Sequence, residues 1–387
     1  MSKRICVVLV IDDLEYGGAQ RQVVELANNM DSDRFNVHVC ALSDYVPLGS
    51  QLRDSATRLH TIVKKHKMDL TVVPRLARLL RVLHADVVHS YLFSADIASR
   101  VAGRLAGTAV VIGSERNTEY TPKKRHVLGY RLTRSCVDLT IANSRAGAQF
   151  NSETFSQPIG DYRVVYNGVD TVRFKPQDKG TPRMELGIAA GEHVVGMFAS
   201  FKPQKNHAMA LRAFARVLSS FPDAKLLLVG DRLYGNMNGT AEYHGRMETL
   251  IDELGIRQHC ILLGNRVDVE QIYPACDVTV LSSRYEGTPN VLLESMACGV
   301  PVVATNVSDN SYVVKQGETG FLVTLDDTEA MARDISLLIE SNSLRRQMAE
   351  KARTWVTTEF SLDRLARQTE AVYLDALSGK RADPGCM

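Results

Sequence analysis

The chain has 387 residues, of which 45% are hydrophobic and 23% are charged, and its formal net charge is +2. This balance is typical of globular proteins, and the length predicts about two domains. It argues against a disordered or collagen-like chain. A bundle of membrane helices is not expected either, since the longest apolar run near the start, Ile5 to Ile11, is far shorter than the roughly 20 residues that span a bilayer.

Short apolar runs alternate with amphipathic stretches along the first half of the chain. Runs rich in Val, Ile and Leu predict strands at 5–11, 35–42, 86–90, 109–114, 139–143 and 162–167. Apolar residues at helical spacing predict helices over 20–30 and 95–106. Two basic residues before the first run imitate a signal peptide. The run ends in Asp12 and Asp13 without a small-residue cleavage site, which favours a buried first strand.

The second half of the chain repeats the same alternation. Apolar runs predict strands at 193–200, 225–230, 260–264, 277–282 and 301–305. Helices are predicted around 205–220, 242–254, 289–298 and 328–340. Continuous apolar strands that alternate with helices are typical of parallel sheets covered on both faces. The predicted fold class is therefore α/β, with two doubly wound, Rossmann-like domains.

The domain boundary is predicted after Asp170, where Pro, Gly and charged residues replace the periodic pattern. This gives a first domain at 1–170 and a second at 171–360. The helix predicted over 361–377 has one apolar face and no strand after it. We therefore expect it to pack back on the first domain.

Cysteine spacing and acidic pairs give no indication of a metal site. Seven cysteines are scattered without a C-x-x-C pair, which favours a reducing, cytoplasmic location over a disulfide framework or a zinc site. Asp31 and Asp33 imitate a D-x-D metal motif, but they lie in a polar turn between a predicted helix and a predicted strand. The sequence therefore predicts no bound metal.

A basic, leucine-rich helix is predicted over 70–86. Arg75, Arg78 and Arg81 share one helical stripe, and Lys67 is among the lysines that precede it. Such a helix could dock on the anionic inner face of a membrane or hold a phosphorylated lipid. The alternative is an ordinary surface helix with a solvated basic face.

The stretch DVTVLSSRYEGTPNVLLESMACGVPVVAT, residues 277–305, predicts a strand, a loop, a helix and a strand. Thr288 is the predicted N-cap and Pro289 the first helical residue. Helix amides that follow a parallel strand favour an anion, and a diphosphate is the natural ligand. These amides belong to Gly287, Thr288, Asn290 and Val291. Phosphates would repel Glu286 and Glu294. These two side chains are therefore expected to accept hydrogen bonds from the hydroxyl groups of a sugar at one end and a ribose at the other.

The spacing Glu286-x7-Glu294 within EGTPNVLLESMACGVPVVAT resembles the signature of the family 4 retaining glycosyltransferases of the GT-B fold. Similar segments follow in the family's order along nearly the whole chain, among them YGGAQRQVVELA, SERN, FKPQKNHAMALRAF and LLGNRVDVEQIYPACDVTVLSS. The resemblance implies two Rossmann-like domains that face each other across a cleft. In the family the first domain binds the acceptor and the second binds the nucleotide-sugar donor.

The resemblance also implies roles for individual residues of the second domain. Glu286 matches the carboxylate that meets the donor sugar, Glu294 the one that holds the ribose, and Lys205 the lysine that neutralises the diphosphate. The family's arginine five positions before that lysine is replaced by Ser200, so Lys202 is the candidate for the second positive charge. Residues matching the segment that contacts the base through its backbone are Arg266 and Val267.

In the first domain, Gly17 and Gly18 match the glycines that let a loop approach the phosphates. His89 matches the histidine near the reacting sugar, and Tyr91 stands where a second histidine is often found. Simpler interpretations remain open: a plain strand-to-helix turn for the glycines, a satisfied histidine at a strand end, and ordinary surface roles for Lys205 and the two glutamates.

The resemblance implies an enzyme that transfers a hexose-type sugar, with retention and without a metal or cofactor, from a UDP-sugar to a lipid-linked or glycan acceptor. The resemblance also implies that this enzyme takes part in cell-surface polysaccharide synthesis. We expect it in the cytoplasm or peripherally at the inner membrane face, and we expect no nucleic-acid partner. An epimerase or hydrolase of nucleotide sugars and a catalytically silent nucleotide-sugar-binding protein are the alternatives. A nicotinamide dehydrogenase is not expected, because no predicted strand is followed by G-x-G-x-x-G.

Overall fold

The computed structural model describes residues 3–66, 69–116, 122–231 and 240–382, with side chains as far as residue 380. Lys67 and the last residue of the SERN segment lie outside the described residues. The chain forms two compact units: unit 1 comprises Met1–Gly168 and Leu362–Met387, and unit 2 comprises Val169–Ser361. These divisions fall within two residues of the boundaries at 170 and 360 that the sequence predicts.

Unit 1 is built on a parallel sheet. Its strands are β1 (Ile5–Ile11), β2 (Phe35–Ala41), β3 (Leu59–Thr61), β4 (Val87–Tyr91), β5 (Val110–Glu115), β6 (Leu139–Ala142) and β7 (Tyr162–Val164). In the described residues they form one seven-stranded sheet in the order β3-β2-β1-β4-β5-β6-β7, with every pairing parallel. The order reverses direction beside β1, which is the doubly wound arrangement that the alternating pattern predicts.

Helices cover both faces of this sheet. They are α1 (Gly18–Asn29), α2 (Ser55–Arg58), α3 (Val72–Val82), α4 (Phe93–Ala106), α5 (Lys124–Leu132) and α6 (Arg145–Phe155). Helix α4 lies especially close to the sheet at Gly103, where an added Cβ would stand 2.7 Å from a side-chain carbon of Val111. A larger residue there would push the helix away from the strands.

Unit 2 repeats the architecture on a smaller sheet. Its strands are β8 (Val194–Phe198), β9 (Lys225–Val229), β10 (Cys260–Gly264), β11 (Val278–Leu281), β12 (Val302–Thr305) and β13 (Gly320–Val323). Over the described part of unit 2 they pair in the order β10-β9-β8-β11-β12-β13, all parallel. The strand order therefore reverses beside β8, between β8 and β11.

The helices of unit 2 pack on both sides of that sheet. They are α7 (Gly180–Glu185), α8 (His207–Val217), α9 (Thr240–Glu253), α10 (Val269–Ile272), α11 (Asn290–Ala297), α12 (Asn310–Val313), α13 (Thr328–Glu340) and α14 (Asn342–Glu359). One large core cluster joins β8, β9 and β11 to helices α8, α9 and α13. The sequence does not predict β3, β13 or α14.

The last helix, α15 (Leu362–Ala382), belongs to unit 1 although unit 2 precedes it in the chain. Its residues Leu365, Tyr373 and Leu377 are buried in one cluster with β1 and β2. The Tyr373 ring stands edge-on to Phe35, with 6.4 Å between the ring centroids. The apolar face that the sequence shows on this helix is thus covered by the first sheet.

The predicted basic helix forms as α3. Its buried residues include Leu76 and Leu80, while Arg75 pairs with Asp69 at 2.8 Å and Arg81 donates to a backbone carbonyl near the end of α4. Two of its three arginines therefore already have partners within unit 1. Nowhere in the described ranges does a helix combine the length and the apolar character needed to cross a bilayer.

Candidate active site

The carboxyl ends of the parallel strands bring the predicted residues of unit 2 together. Lys202 and Lys205 follow β8, and Glu286 follows β11, which is its neighbour in the sheet. Ser308 follows β12, the next strand along. This is the edge where open α/β sheets bind ligands, at the point where the strand order reverses.

Glu286 is held firmly at this edge. It is only 6% exposed, and its Oε1 atom accepts hydrogen bonds from Lys205 Nζ at 2.5 Å and from Ser283 Oγ at 2.6 Å. Its backbone N–H donates to Ser308 Oγ at 3.1 Å. These three contacts come from three loops, so the orientation of the carboxylate depends on all of them. A carboxylate held beside a cation in this way can accept further hydrogen bonds from hydroxyl groups.

Two lysines place a positive charge beside Glu286. Burial, together with the neighbouring Lys205 ammonium, lowers the pKa of Lys202 to about 8, although Glu286 opposes the shift. Two cations beside one carboxylate leave an excess of positive charge at low exposure, which favours an anion. Position 200 carries an uncharged serine, so the charge comes from the residues after it.

Glu294 lies on α11 and is 7% exposed. The hydroxyl group of Tyr273 donates to its Oε2 atom at 2.9 Å. The Tyr273 ring is fully buried and stacks on Phe198, with 3.8 Å between centroids and 17° between planes. A rigid aromatic pair at the end of β8 thus fixes the second carboxylate.

The start of α11 differs from the prediction. Thr288 is not the N-cap: the helix begins at Asn290, its N-cap is Pro289, and no side chain caps it. The reason is that Pro289 has an extended backbone (φ −76°, ψ 113°), which keeps Thr288 outside the first turn. Gly287 and Thr288 are buried in the loop, and Asn290 and Val291 form the first turn. The helix dipole still directs its positive end toward this loop.

Arg266 and Val267 follow β10. The Arg266 guanidinium pairs with Asp268 through bonds of 2.8 and 2.6 Å, and the backbone carbonyl of Val267 accepts from Arg173 at 2.9 Å. The Val267 side chain is 60% exposed. The guanidinium and that carbonyl are therefore engaged within unit 2, and contact with a base through this segment remains a prediction.

In unit 1, Gly17 is the N-cap of α1 and Gly18 its first residue. The backbone of Gly17 is ordinary (φ −129°), and an added Cβ would meet the flexible side chain of Gln20. Glycine is therefore not required by backbone strain. Its effect is to leave the N-terminus of α1 without a capping side chain.

His89 lies inside unit 1 with both ring nitrogens engaged. It is 1% exposed, and its Nδ1 and Nε2 atoms stand 2.7 Å from Tyr373 Oη and 2.6 Å from Ser114 Oγ. Burial, assisted by the charge of Arg116, lowers the pKa of His89 to about 3. The imidazole is thus neutral and tied to α15 and β5. Direct contact with a sugar remains a prediction, and it would require one of these bonds to break.

Arg116 and Tyr91 are features that the sequence did not single out as a pair. Tyr91 ends β4, Arg116 directly follows β5, and the guanidinium lies over the Tyr91 ring at 5.5 Å. Both residues are therefore at the carboxyl edge of the first sheet, whereas His89 is two residues further inside. Among the described residues, no group of three or more His, Cys, Asp or Glu side chains could hold a metal ion.

A cavity of about 450 Å³ lies at the opposite edge of the sheet of unit 2. It is lined by residues that immediately precede strands, namely His193, Asp277 and Pro301. Lys179 and Arg183 each stand 2.8 Å from the carboxylate of Asp277. These charges pair with one another within unit 2, and neither Glu286 nor Glu294 lines the cavity.

Solved structures define the class of the fold as GT-B. Anabaena HepE in complex with UDP is similar with a TM-score of 0.82 and 23% identity, over 96% of this chain and 100% of that chain. WaaG, a glycosyltransferase involved in lipopolysaccharide biosynthesis, is similar with a TM-score of 0.73 and 16% identity, over 95% and 99%. These matches show that the predicted fold, two Rossmann-like α/β domains of the GT-B type, is correct.

Family models identify the chain more closely. Residues 178–355 match the model of the glycosyl transferases group 1, and residues 16–173 match that of glycosyltransferase family 4. The two matches together take in most of the chain. It therefore belongs to the group 1 glycosyltransferases and is a glycosyltransferase.

Curated relatives agree with this assignment. The N-acetyl-α-D-glucosaminyl L-malate synthase of Bacillus anthracis is 27% identical over 316 residues, which is 80% of either chain. A UDP-Gal:α-D-GlcNAc-diphosphoundecaprenol α-1,3-galactosyltransferase of Escherichia coli is 25% identical over 94% of this chain and 95% of its own. A D-inositol 3-phosphate glycosyltransferase of Acidothermus cellulolyticus is 28% identical over 76% and 68%.

Proposed function

We propose that the protein transfers a hexose-type sugar from a UDP-sugar to a lipid-linked or glycan acceptor, with retention of the anomeric configuration and without a metal. The observation that carries this proposal is the pair of buried carboxylates, Glu286 and Glu294, on either side of the N-terminus of α11. Lys205 bonds to the first carboxylate and Tyr273 to the second. Each carboxylate is thereby preorganised to accept hydrogen bonds from hydroxyl groups.

The diphosphate of the donor would lie at the amides of α11. Its negative charge develops further as the sugar leaves, and Lys205 and Lys202 supply compensating positive charge at low exposure. Glu286 would hold the sugar hydroxyl groups while the ring becomes oxocarbenium-like, and Glu294 would hold the ribose. The departing phosphate oxygen would take the proton of the acceptor hydroxyl group. Unit 1 would provide the acceptor site.

The nucleotide and the acceptor class rest on the relatives. The name of the Escherichia coli relative states a UDP-sugar donor and a diphosphoundecaprenol-linked acceptor. An acceptor of that kind lies in a membrane, and we propose that this chain likewise acts at the cytoplasmic inner face, in the assembly of cell-surface polysaccharide. The exposed Arg78 and Val82 of α3 are available for such a contact.

The test is a panel of nucleotides and nucleotide sugars in thermal-shift and calorimetric titrations. A donor stabilises the folded state in proportion to its affinity and concentration, so the correct base and sugar give the largest shift. We expect UDP-hexoses to give the largest increase in melting temperature. A shift that is equal for GDP-, ADP- and UDP-sugars would contradict the nucleotide assignment. Hydrolysis of the donor at an undiminished rate without any acceptor would contradict transfer.

A further inference from the structure

Arg116 carries a positive charge at the carboxyl edge of the first sheet, where its contacts in the described residues are to neutral groups. Its guanidinium donates to Asn167 Oδ1 at 2.5 Å and lies over the ring of Tyr91 at 5.5 Å. Both partners are uncharged. In the part of the chain that the structure describes, no carboxylate forms an ion pair with Arg116. The side chain is only partly exposed, so water compensates its charge incompletely.

Two other arginines of unit 1 have a carboxylate partner, whereas Arg58 donates only to backbone carbonyls. Arg100 pairs with Asp96 at 3.0 Å, and Arg104 pairs with Asp138 at 2.7 Å. Burial lowers the pKa of Arg116, and only the Tyr91 hydroxyl group opposes that shift. The charge is therefore held at a cost in folding free energy that an anion at this position would offset.

The surroundings of Arg116 bring a second source of positive potential to the same place. Gln22 lies in the second turn of α1. Its side-chain amide donates to the backbone carbonyl of Gly168 at 2.8 Å and accepts from the backbone N–H of Gly168 at 3.0 Å. Gly168 is next to Asn167, the partner of Arg116. The first turns of α1 and the guanidinium are thus linked through two adjacent residues. The N-cap of α1 is Gly17, which has no side chain, and the positive end of the helix dipole lies at this end of α1.

We propose that Arg116 binds an anionic group, a phosphate or a carboxylate, of the acceptor substrate. This inference rests on the proposed function, in which the charge of the donor is met by Lys202, Lys205 and α11 in unit 2. Arg116 belongs to unit 1, the unit proposed to hold the acceptor. Three relatives have names that contain malate, diphosphoundecaprenol or inositol 3-phosphate, and each of these compounds is anionic. A guanidinium binds such groups with two parallel hydrogen bonds.

The experiment uses inorganic phosphate as the probe of the site. The full chain is first saturated with UDP, which fills the donor site, and phosphate is then titrated by calorimetry. We expect phosphate to bind to the UDP-saturated protein, and Arg116→Gln to weaken that binding at least tenfold while leaving the affinity for UDP unchanged. Arg131→Gln is the matched control, because Arg131 is exposed and lies on α5 of the same unit. It should bind phosphate as the unaltered protein does.

Asn167→Asp provides a second variant that keeps the arginine. It places a carboxylate at the position 2.5 Å from the guanidinium. This carboxylate should form an ion pair with Arg116 and thereby abolish phosphate binding. Equal phosphate affinity in this variant and the unaltered chain would overturn the proposal, even if Arg116→Gln did not fold. Loss of UDP affinity in Arg116→Gln would assign the arginine to the donor and overturn it as well. If the unaltered protein fails to bind UDP, the proposed function fails. This inference fails through the phosphate titrations, or through a loss of UDP affinity that is confined to Arg116→Gln.

Discussion

Glu294 and Glu286 are nearly buried carboxylates, and at the scale of single residues their partners decide what they can do. Tyr273 donates one hydrogen bond to Glu294, which leaves a carboxylate with further capacity to accept. Lys205 and Ser283 both donate to the same oxygen of Glu286. A carboxylate held in one orientation binds a hydroxyl group without first losing side-chain entropy.

Replacing Glu294 by Gln should weaken the binding of UDP by about 10- to 100-fold. A hydrogen bond to a charged group contributes roughly 1.5–3 kcal/mol, and the amide is neutral while it keeps the size of the carboxylate. Calorimetric titration of UDP measures the effect. Glu253→Gln, an exposed substitution on α9, is the control and should bind UDP normally. Unchanged affinity in Glu294→Gln would remove this residue from the ribose site.

The lowered pKa of Lys202, about 8, makes donor binding dependent on pH. The ammonium is present below pH 8 and is lost as the pH rises above it. Affinity for UDP should therefore fall up to about tenfold between pH 7 and pH 9. Uridine, which lacks the diphosphate, should show no such dependence. Lys202→Met should bind UDP more weakly at pH 7 and lose the pH dependence. A UDP affinity that is constant over this range would contradict a role for Lys202.

The sequence predicts the charged residues of the site better than the residues that support them. Lys205 and Glu286 could be placed together because each follows a strand, and the carboxyl ends of neighbouring parallel strands share one edge. Tyr273 could not be predicted as the partner of Glu294, since the hydrogen bond depends on packing against Phe198. The contacts of Arg116 could not be predicted either, because a sequence does not tell which arginines pair with neutral groups in the folded chain. The capping role predicted for Thr288 is wrong because the backbone of Pro289 keeps it outside the helix.

At the scale of elements, α15 is held on unit 1 by a buried face that includes Tyr373. Replacing Tyr373 by Ala should destabilise unit 1 by about 3–5 kcal/mol, because it empties a fully buried aromatic position. Tyr373→Phe keeps the ring and loses the hydrogen bond to His89, so it should cost about 1 kcal/mol. Urea unfolding followed by circular dichroism measures both.

Trp355, the single tryptophan of the chain, lies on α14 in unit 2 and reports on that unit separately. Its fluorescence should be unchanged under native conditions in both variants. Asp375→Ala, at an exposed position of the same helix, is the control and should leave the stability unaltered. If Tyr373→Ala were as stable as this control, the helix would not contribute to the core of unit 1.

Elements with a clear apolar period are predicted well, and short or polar elements are not. The central strands of both sheets read as continuous Val, Ile and Leu runs because both faces are covered. Strand β3 has three residues, Leu59–Thr61, at the edge of its sheet and shows no such run. Helix α14 is mostly polar along its 18 residues and buries only a few of them. Its position depends on contacts with α11 and α13 that no local pattern contains.

At the scale of the whole molecule, the proposed mechanism draws the positive charge for the leaving group from side chains and helix amides of unit 2. Transfer should therefore continue in EDTA after metal has been stripped from the protein, at a rate within about twofold of the untreated enzyme. Lys205→Ala should lower the rate strongly under both conditions, since it removes a fixed cation from the diphosphate. A rate that is lost in EDTA and restored by Mg²⁺ or Mn²⁺ would show that these groups are insufficient.

The stereochemical outcome depends on whether a general base faces the acceptor. Inversion needs such a base on the side of the sugar opposite the leaving group. His89 is a poor candidate, because burial holds its pKa near 3 and Tyr373 and Ser114 occupy its ring nitrogens. Burial beside Asp96 raises the pKa of Glu115 to about 8, so this carboxyl group is mostly protonated at pH 7, and only its minor ionised form could act as a base.

Attack on the same face as the leaving group, with the phosphate oxygen accepting the proton, needs no opposite base. We therefore expect retention, with an α-glycoside formed from an α-linked donor, and a residual rate in His89→Ala. NMR measurement of the anomeric coupling constant in the first-formed product is the direct test, made before the product can equilibrate. A β-linked product would contradict the mechanism. Complete loss of transfer in a folded His89→Ala variant would show that this histidine is required for the reaction. Since its imidazole also anchors α15 through Tyr373, the stability of this variant must be measured beside its rate.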